Sequence, residues 1–211
     1  MADDRVVVRL RVVVRGVSPL IVRTLEVASS ARLAVLHEAL LACFDWSGEC
    51  LHEFTIRAVG YSSDWLVDAI DTRTVTLESL GLRVGERFTW CYDFSAGWII
   101  DLRVEATTTT ITGPLVRCVG GKRAGPPEWV GGPAGFYGWE DSHSLIEFLD
   151  CVDELRDGVD VYGEPVEVEW LVDRLGAVAR WAARDRFGKA DVTRRLTALE
   201  VTSCVSSSKS G

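Results

Sequence analysis

Residues 5–15 alternate strictly, with Val6, Val8, Leu10, Val12 and Val14 on one face and Arg5, Val7, Arg9, Arg11, Val13 and Arg15 on the other. A period of two with one apolar face predicts a strand half buried in a sheet. Gly16-Val17-Ser18-Pro19 interrupts the pattern with turn residues, and Leu20 to Val27 resumes it as a returning strand. The period then lengthens. Leu33, Leu36, His37, Leu40, Leu41 and Phe44 recur at helical spacing, which predicts a helix capped by Ser29 or Ser30 and packed on the hairpin. Leu51 to Val59 alternates again, with His52, Phe54, Ile56 and Ala58 on its inner face, and Val75 to Leu80 reads as a short helical turn. Phe88, Trp90, Tyr92 and Phe94 then share one face of a strand, and Trp98, Ile100, Leu102 and Val104 share that of the next, with Ser95-Ala96-Gly97 turning between them.

From Cys118 to Gly138 the texture changes to a Gly/Pro-rich stretch that predicts a structured loop without regular elements. Three amphipathic stretches follow, at 142–156, 165–185 and 191–200. Ser142 would cap the first, Pro165 would lie near the first turn of the second, and Asp191 would cap the third. The expected fold is α+β: a β-grasp-like mixed sheet with one main packing helix, a Gly/Pro-rich loop and a C-terminal helical segment. Residues 1–138 form the sheet domain with its loop, 139–202 pack on it as helices, and 203–211 are a disordered tail.

Composition supports a folded chain: of 211 residues, 47% are hydrophobic and 26% charged, which excludes disorder, collagen and coiled coil as descriptions of the whole. The formal charge of −8 argues against nucleic acid as a partner, since no net phosphate-neutralising field is available. From Glu140 to Glu169, 11 acidic residues face Arg156 alone, so this segment carries −10 and the rest of the chain +2. The stripe Arg5, Arg9, Arg11 and Arg15 is therefore read as solvated, or as paired within or between chains. No signal peptide or membrane span can be drawn at the N-terminus, and the six cysteines lack C-x-x-C spacing, so a cytoplasmic protein with reduced thiols is expected.

Val17-Ser18-Pro19-Leu20-Ile21-Val22-Arg23, Leu33-x-x-Leu36-His37, Trp46 before Leu51-His52-Glu53-Phe54, Tyr92-Asp93-Phe94 with Trp98, and Gly120-Gly121-Lys122-Arg123-x-Gly125-Pro126-Pro127-Glu128 occur in that order. Together these motifs resemble the plasmid pRiA open-reading-frame-three-like family, insertion-element passenger proteins that carry the label TnpR. The resemblance covers residues 5–150 and, more faintly, Phe187 to Leu199. Its label implies a resolvase, but the sequence has no basic recognition helix to read DNA, so recombinase activity is set aside. The chain also departs from the family pattern. Ala96 and Ile100 stand where the family has Asp and His, and Gly125 and Trp129 where it has Cys and Asp. Those are residue types that ligate metals or move protons, so a polar site implied by the family has lost four contributors here.

The candidate acid–base residues are His52, Asp93 and Glu128. Each has a plainer reading: a buried neutral histidine, a turn carboxylate and a loop carboxylate. The candidate pocket is lined by Trp90, Tyr92, Trp98 and Trp129 with Lys122 and Arg123, although alternating aromatics on a hairpin usually form core; Trp129 is the one expected to face a cavity. No metal and no cofactor are expected, because no two histidines or cysteines have ligand spacing and the glycine-rich stretch lacks P-loop spacing. Two functions stay open. One is a non-enzymatic binding or accessory protein of the passenger family with a degenerated polar site. The other is a small enzyme acting on an organic substrate in a Trp-lined pocket by acid–base chemistry. A small apolar or aromatic ligand, a protein partner and a second copy of the chain all remain open as partners; a membrane does not.

Overall fold

The computed structural model describes residues 5–64, 66, 68–110, 113–158, 165 and 167–207. Met1 to Asp4, Asp160, Glu164 and the last four residues of the expected tail lie outside them. Seven strands form one sheet: β1 (Arg5–Val14), β2 (Val22–Ala28), β3 (His52–Ile56), β4 (Val59–Tyr61), β5 (Arg87–Tyr92), β6 (Trp98–Thr110) and β7 (Val116–Lys122). Their order is β4-β3-β5-β6-β1-β2-β7, and every pairing between these strands is antiparallel. The α+β class holds, but the sheet is antiparallel where a mixed, β-grasp-like one is expected from the sequence. The reason is the length of β6: at 13 residues it turns back on β5 and then runs the full length of β1 in the opposite direction. Parallel contact is confined to an isolated Tyr61–Ile70 bridge among the described residues.

Alternation in the sequence decides which face is buried. Leu10, Val12, Leu25, Trp90, Trp98, Ile100 and Leu102 are fully enclosed, and α1 (Leu33–Phe44) supplies Leu33, Leu36, Leu40 and Phe44 to the same core. The N-cap of α1 is Arg32, which makes no side-chain cap, rather than Ser29 or Ser30. Instead the Leu33 and Ala34 N–H groups donate to the carbonyls of Val75 and Thr72, so the segment before α2 (Leu77–Leu80) satisfies them.

The Gly/Pro-rich stretch is more regular than expected. It completes β7, makes a 3₁₀ turn over Glu128–Val130 and opens α3 (Gly132–Ser142). Its glycines serve close approach: a Cβ on Gly132 would lie 1.9 Å from the Ala96 carbonyl oxygen. Ser142 therefore ends one helix, and Ser144 caps the next, α4 (Leu145–Asp157), by accepting from the Glu147 N–H. The remaining helices are α5 (Val168–Ala182) and α6 (Lys189–Ser207). Buried Arg123 fastens this half to the sheet, donating to Glu140, Asp185 and the Pro19 carbonyl. Among the described residues no helix is long and apolar enough to cross a membrane.

On the open face, Arg9 pairs with Glu26, which also holds Arg117, and Arg15 pairs with Asp101. Arg11 behaves differently. It stands directly opposite Arg103, which stands directly opposite Arg87, so three exposed arginines cross three strands in one row. Like charges in opposed positions destabilise a sheet by roughly 0.2–1 kcal/mol per pair. Arg103→Thr, which removes both repulsions and keeps strand propensity, is expected to raise the urea midpoint, with a smaller gain in 1 M salt. A midpoint that falls in low salt would contradict this reading of the row.

Candidate functional site

His52 begins β3 on the buried face, where its Nδ1 lies 3.1 Å from Asp64 Oδ2 and its ring stacks on His37 with centroids 3.5 Å apart. Burial, aided by the neighbouring imidazole, pushes His37 down to about 3; burial also lowers His52, against the pull of Asp64. Among the described residues His37 Nδ1 and His52 Nε2 have no hydrogen-bond partner. The pair is thus neutral and enclosed in the core.

Asp93 shapes the β5–β6 turn. Its φ is +52°, and its Oδ1 accepts from the Ser95 hydroxyl and from the Ser95 and Ala96 N–H groups, the hydroxyl bond doing most to lower its pKa. Glu128 is held just as firmly. It accepts from the Tyr92 hydroxyl at 2.5 Å, the Ser47 N–H at 2.6 Å and the Ser47 hydroxyl at 2.9 Å. Burial and this carboxylate together push Tyr92 up to about 12. Beside it, Trp46 Nε1 donates to the Pro126 carbonyl, so this bond and the two from Ser47 pin the 126–128 segment against the connection that follows α1.

Trp90 and Trp98 are fully buried and pack with Trp46, as does Tyr92. Lys122 is exposed at the end of β7, and Arg123 is engaged by its two carboxylates. Trp129 is 62% exposed. Of the acid–base and pocket candidates named from sequence, Glu128 and Trp129 line a cleft formed by the described residues, and the others do not.

That cleft encloses about 750 Å³ between the end of α1, residues 124–129, α3 and the junction of α5 with α6. Its aromatic walls are Phe44, Phe136, Trp139 and Phe187, with Trp129 at the mouth, and its cations are Arg23, Arg180, Arg184, Arg186 and Arg195. Arg23 is 1% exposed. Its Nε donates to the Cys43 carbonyl, and its Nη1 donates to those of Val22, Lys122 and Arg123. The sequence motif Val17 to Arg23 contains this residue without marking it as a site residue, yet a further signal was there. Arg23, Leu25 and Val27 share one face of β2, in step with Ile21 just before it, so a charge occupies an apolar register. Among the described residues no group of three or more His, Cys, Asp or Glu side chains is placed to hold a metal ion.

The model of the plasmid pRiA4b ORF-3-like protein family matches residues 6–149. The chain belongs to that family. Uncharacterized protein y4hQ of Sinorhizobium fredii (strain NBRC 101917 / NGR234) is 37% identical over 136 residues, 62% of this chain and 69% of that protein. The crystal structure of MM3350, a protein of unknown function from Methanosarcina mazei Go1, superposes with a TM-score of 0.61 at 24% identity, over 78% of this chain and 97% of that one, which shows a shared fold. In this pRiA4b ORF-3-like protein, Arg23 and the 124–129 wall lie inside the family match, and the α5–α6 wall lies outside it. Ile100, where the resemblance places a histidine, is fully buried.

The histidine pair gives a pH dependence with a definite sign. An unfolded imidazole protonates near 6.5, whereas folded His37 stays neutral down to about 3. Between these values the unfolded chain binds a proton that the folded chain refuses. Stability is therefore full above 6.5 and falls as the pH drops, by up to about 1.4 kcal/mol per pH unit for each such histidine. Urea midpoints should fall more steeply between pH 7.5 and pH 4.5 in the parent than in His37→Leu. Equal slopes would contradict a neutral buried imidazole at this position.

Proposed function

We propose that this pRiA4b ORF-3-like protein is a non-enzymatic binding protein that holds a small organic molecule in the cleft between the 124–129 segment and the α5–α6 junction. The observation that carries the reading is the separation of chemistry from concavity. His52 and Asp93 do not line the cleft, and Glu128, which does, is committed to three donors that fix the loop. What lines the cleft is suited to binding: aromatic faces and guanidinium groups around a volume in the range of small-molecule sites. An acid–base enzyme would need a titratable group free to face its substrate.

Tryptophan fluorescence titrated with a panel of aromatic compounds tests the proposal. At least one should bind saturably, and Trp129→Ala should weaken it by roughly tenfold, a loss of about 1.4 kcal/mol, with the urea midpoint unchanged. Trp98→Ala, at a fully buried position, should instead lose roughly 3–5 kcal/mol of stability. If Trp129→Ala destabilises the chain as severely as Trp98→Ala, the residue is part of the core and the cleft reading fails.

A further inference from the structure

Within the cleft, the described groups leave one kind of demand unmet. Arg23 carries a full charge at 1% exposure, flanked by the rings of Phe44 and Phe187 with centroids 5.3 and 4.8 Å away. Its carbonyl partners satisfy Nε and Nη1 but supply no countercharge, and among the described residues it has no carboxylate partner. Among the described residues Nη2 makes no hydrogen bond, and Arg23 lines the cleft. A guanidinium withdrawn from water without a counterion is costly, and its natural partner is a carboxylate or a phosphate.

The neighbouring charges do not neutralise it. Asp45 is taken by Arg195, Asp191 by Arg194, and Glu128 by Ser47 and Tyr92. Arg180 and Arg186, both on the lining, have no ion pair among the described residues. The cleft lining thus holds five arginines against three carboxylates in a chain whose net charge is −8. The remaining candidate countercharge is the Cys118 thiol, drawn down to about 7 by its bond with Cys43 and by Arg23, but Cys118 does not line the cleft.

Resting on the ligand-binding reading above, we infer that the cleft selects an aromatic anion: a ring between the aromatic walls, with its carboxylate or phosphate directed at Arg23. A bare inorganic anion would leave the walls unused, and a neutral aromatic would leave the guanidinium uncompensated. Arg180 and Arg186 add attraction at the rim, where it is screened by salt.

Isothermal titration of the full chain at pH 7.5 separates these cases, using naphthalene-2-carboxylate, 1-naphthyl phosphate, the neutral naphthalen-2-ylmethanol and inorganic phosphate. At least one aromatic anion should bind ten times or more tightly than the neutral alcohol, and inorganic phosphate should bind at least ten times more weakly than that anion. Whether carboxylate or phosphate is the tighter head group identifies the natural source of the charge. Because Arg23 stitches the fold, the variant used is the exposed Arg186→Gln, expected to cost the aromatic anion about threefold and the alcohol nothing. Cys118→Ala should leave anion affinity intact or raise it. Alcohol and anions binding equally would overturn the inference and leave the ligand-binding reading standing; no binding by any probe would overturn both. Inorganic phosphate matching naphthyl phosphate would overturn the role given to the aromatic walls, and loss of anion binding in Cys118→Ala would overturn the role given to Arg23.

Discussion

Four carbonyl oxygens, from the end of α1, the start of β2 and the end of β7, converge on the guanidinium of Arg23. Hydrogen bonds to a charged donor contribute about 1.5–3 kcal/mol each, so this one side chain fixes where the helix ends relative to the sheet. It also decides what can pack above it. Phe187 lies over the guanidinium, and it can do so because Gly121 has no side chain: a Cβ there would be 2.8 Å from the Phe187 ring and from the Val22 carbonyl. Gly125 carries the same requirement, since its Cβ would fall 2.4 Å from the Phe44 carbonyl. The glycines of this stretch let backbone and ring close on a buried charge, and the cleft is the space left where that closure is incomplete.

The second fastening is Glu128 with Tyr92, Ser47 and the nearby Trp46–Pro126 bond. It belongs to the same construction, because it holds the far wall of the cleft at a set distance from α1 and leaves the adjacent Trp129 facing outward. A carboxylate used in this way stabilises a loop. Glu128, one of the polar groups of the family motif, is held by three donors here, and the cleft it borders is lined by guanidinium groups and aromatic rings.

How much of this is legible in the sequence depends on the range of the interaction. β1, β2, β3, β5, β6, α1 and the β5–β6 turn are legible because period and turn residues are local signals: Val8 to Val14, Phe88 to Tyr92 and Trp98 to Leu102 bury the face that their alternation predicts. Val6 and Phe94 at the ends of the pattern are exposed, and the short β4 and glycine-bearing β7 carry too little alternation to show. Sheet direction is not legible, since the pairing of β1 with β6 joins residues 86 to 105 apart, from Val14 with Ile100 to Arg5 with Thr110, that carry no shared pattern. The Gly/Pro stretch misleads for a related reason. Locally its glycines signal a loop, but Gly121, Gly125 and Gly132 are set by Phe187, Phe44 and Ala96, none of them near in sequence. The cleft is hidden for the same reason, because Arg23, Gly125 and Phe187 meet only in the folded chain. Arg23 alone left a trace, as a charge in the apolar register of β2.

The central claim is that the enclosed charge of Arg23 is completed by a ligand anion. The most direct measurement is a crystal structure of the chain with naphthalene-2-carboxylate. The expected result is a carboxylate oxygen about 2.7–2.9 Å from Arg23 Nη2 with the ring between the aromatic walls. A carboxylate pointing to solvent while the ring occupies the cleft, or a ligand bound away from Arg23, would contradict it.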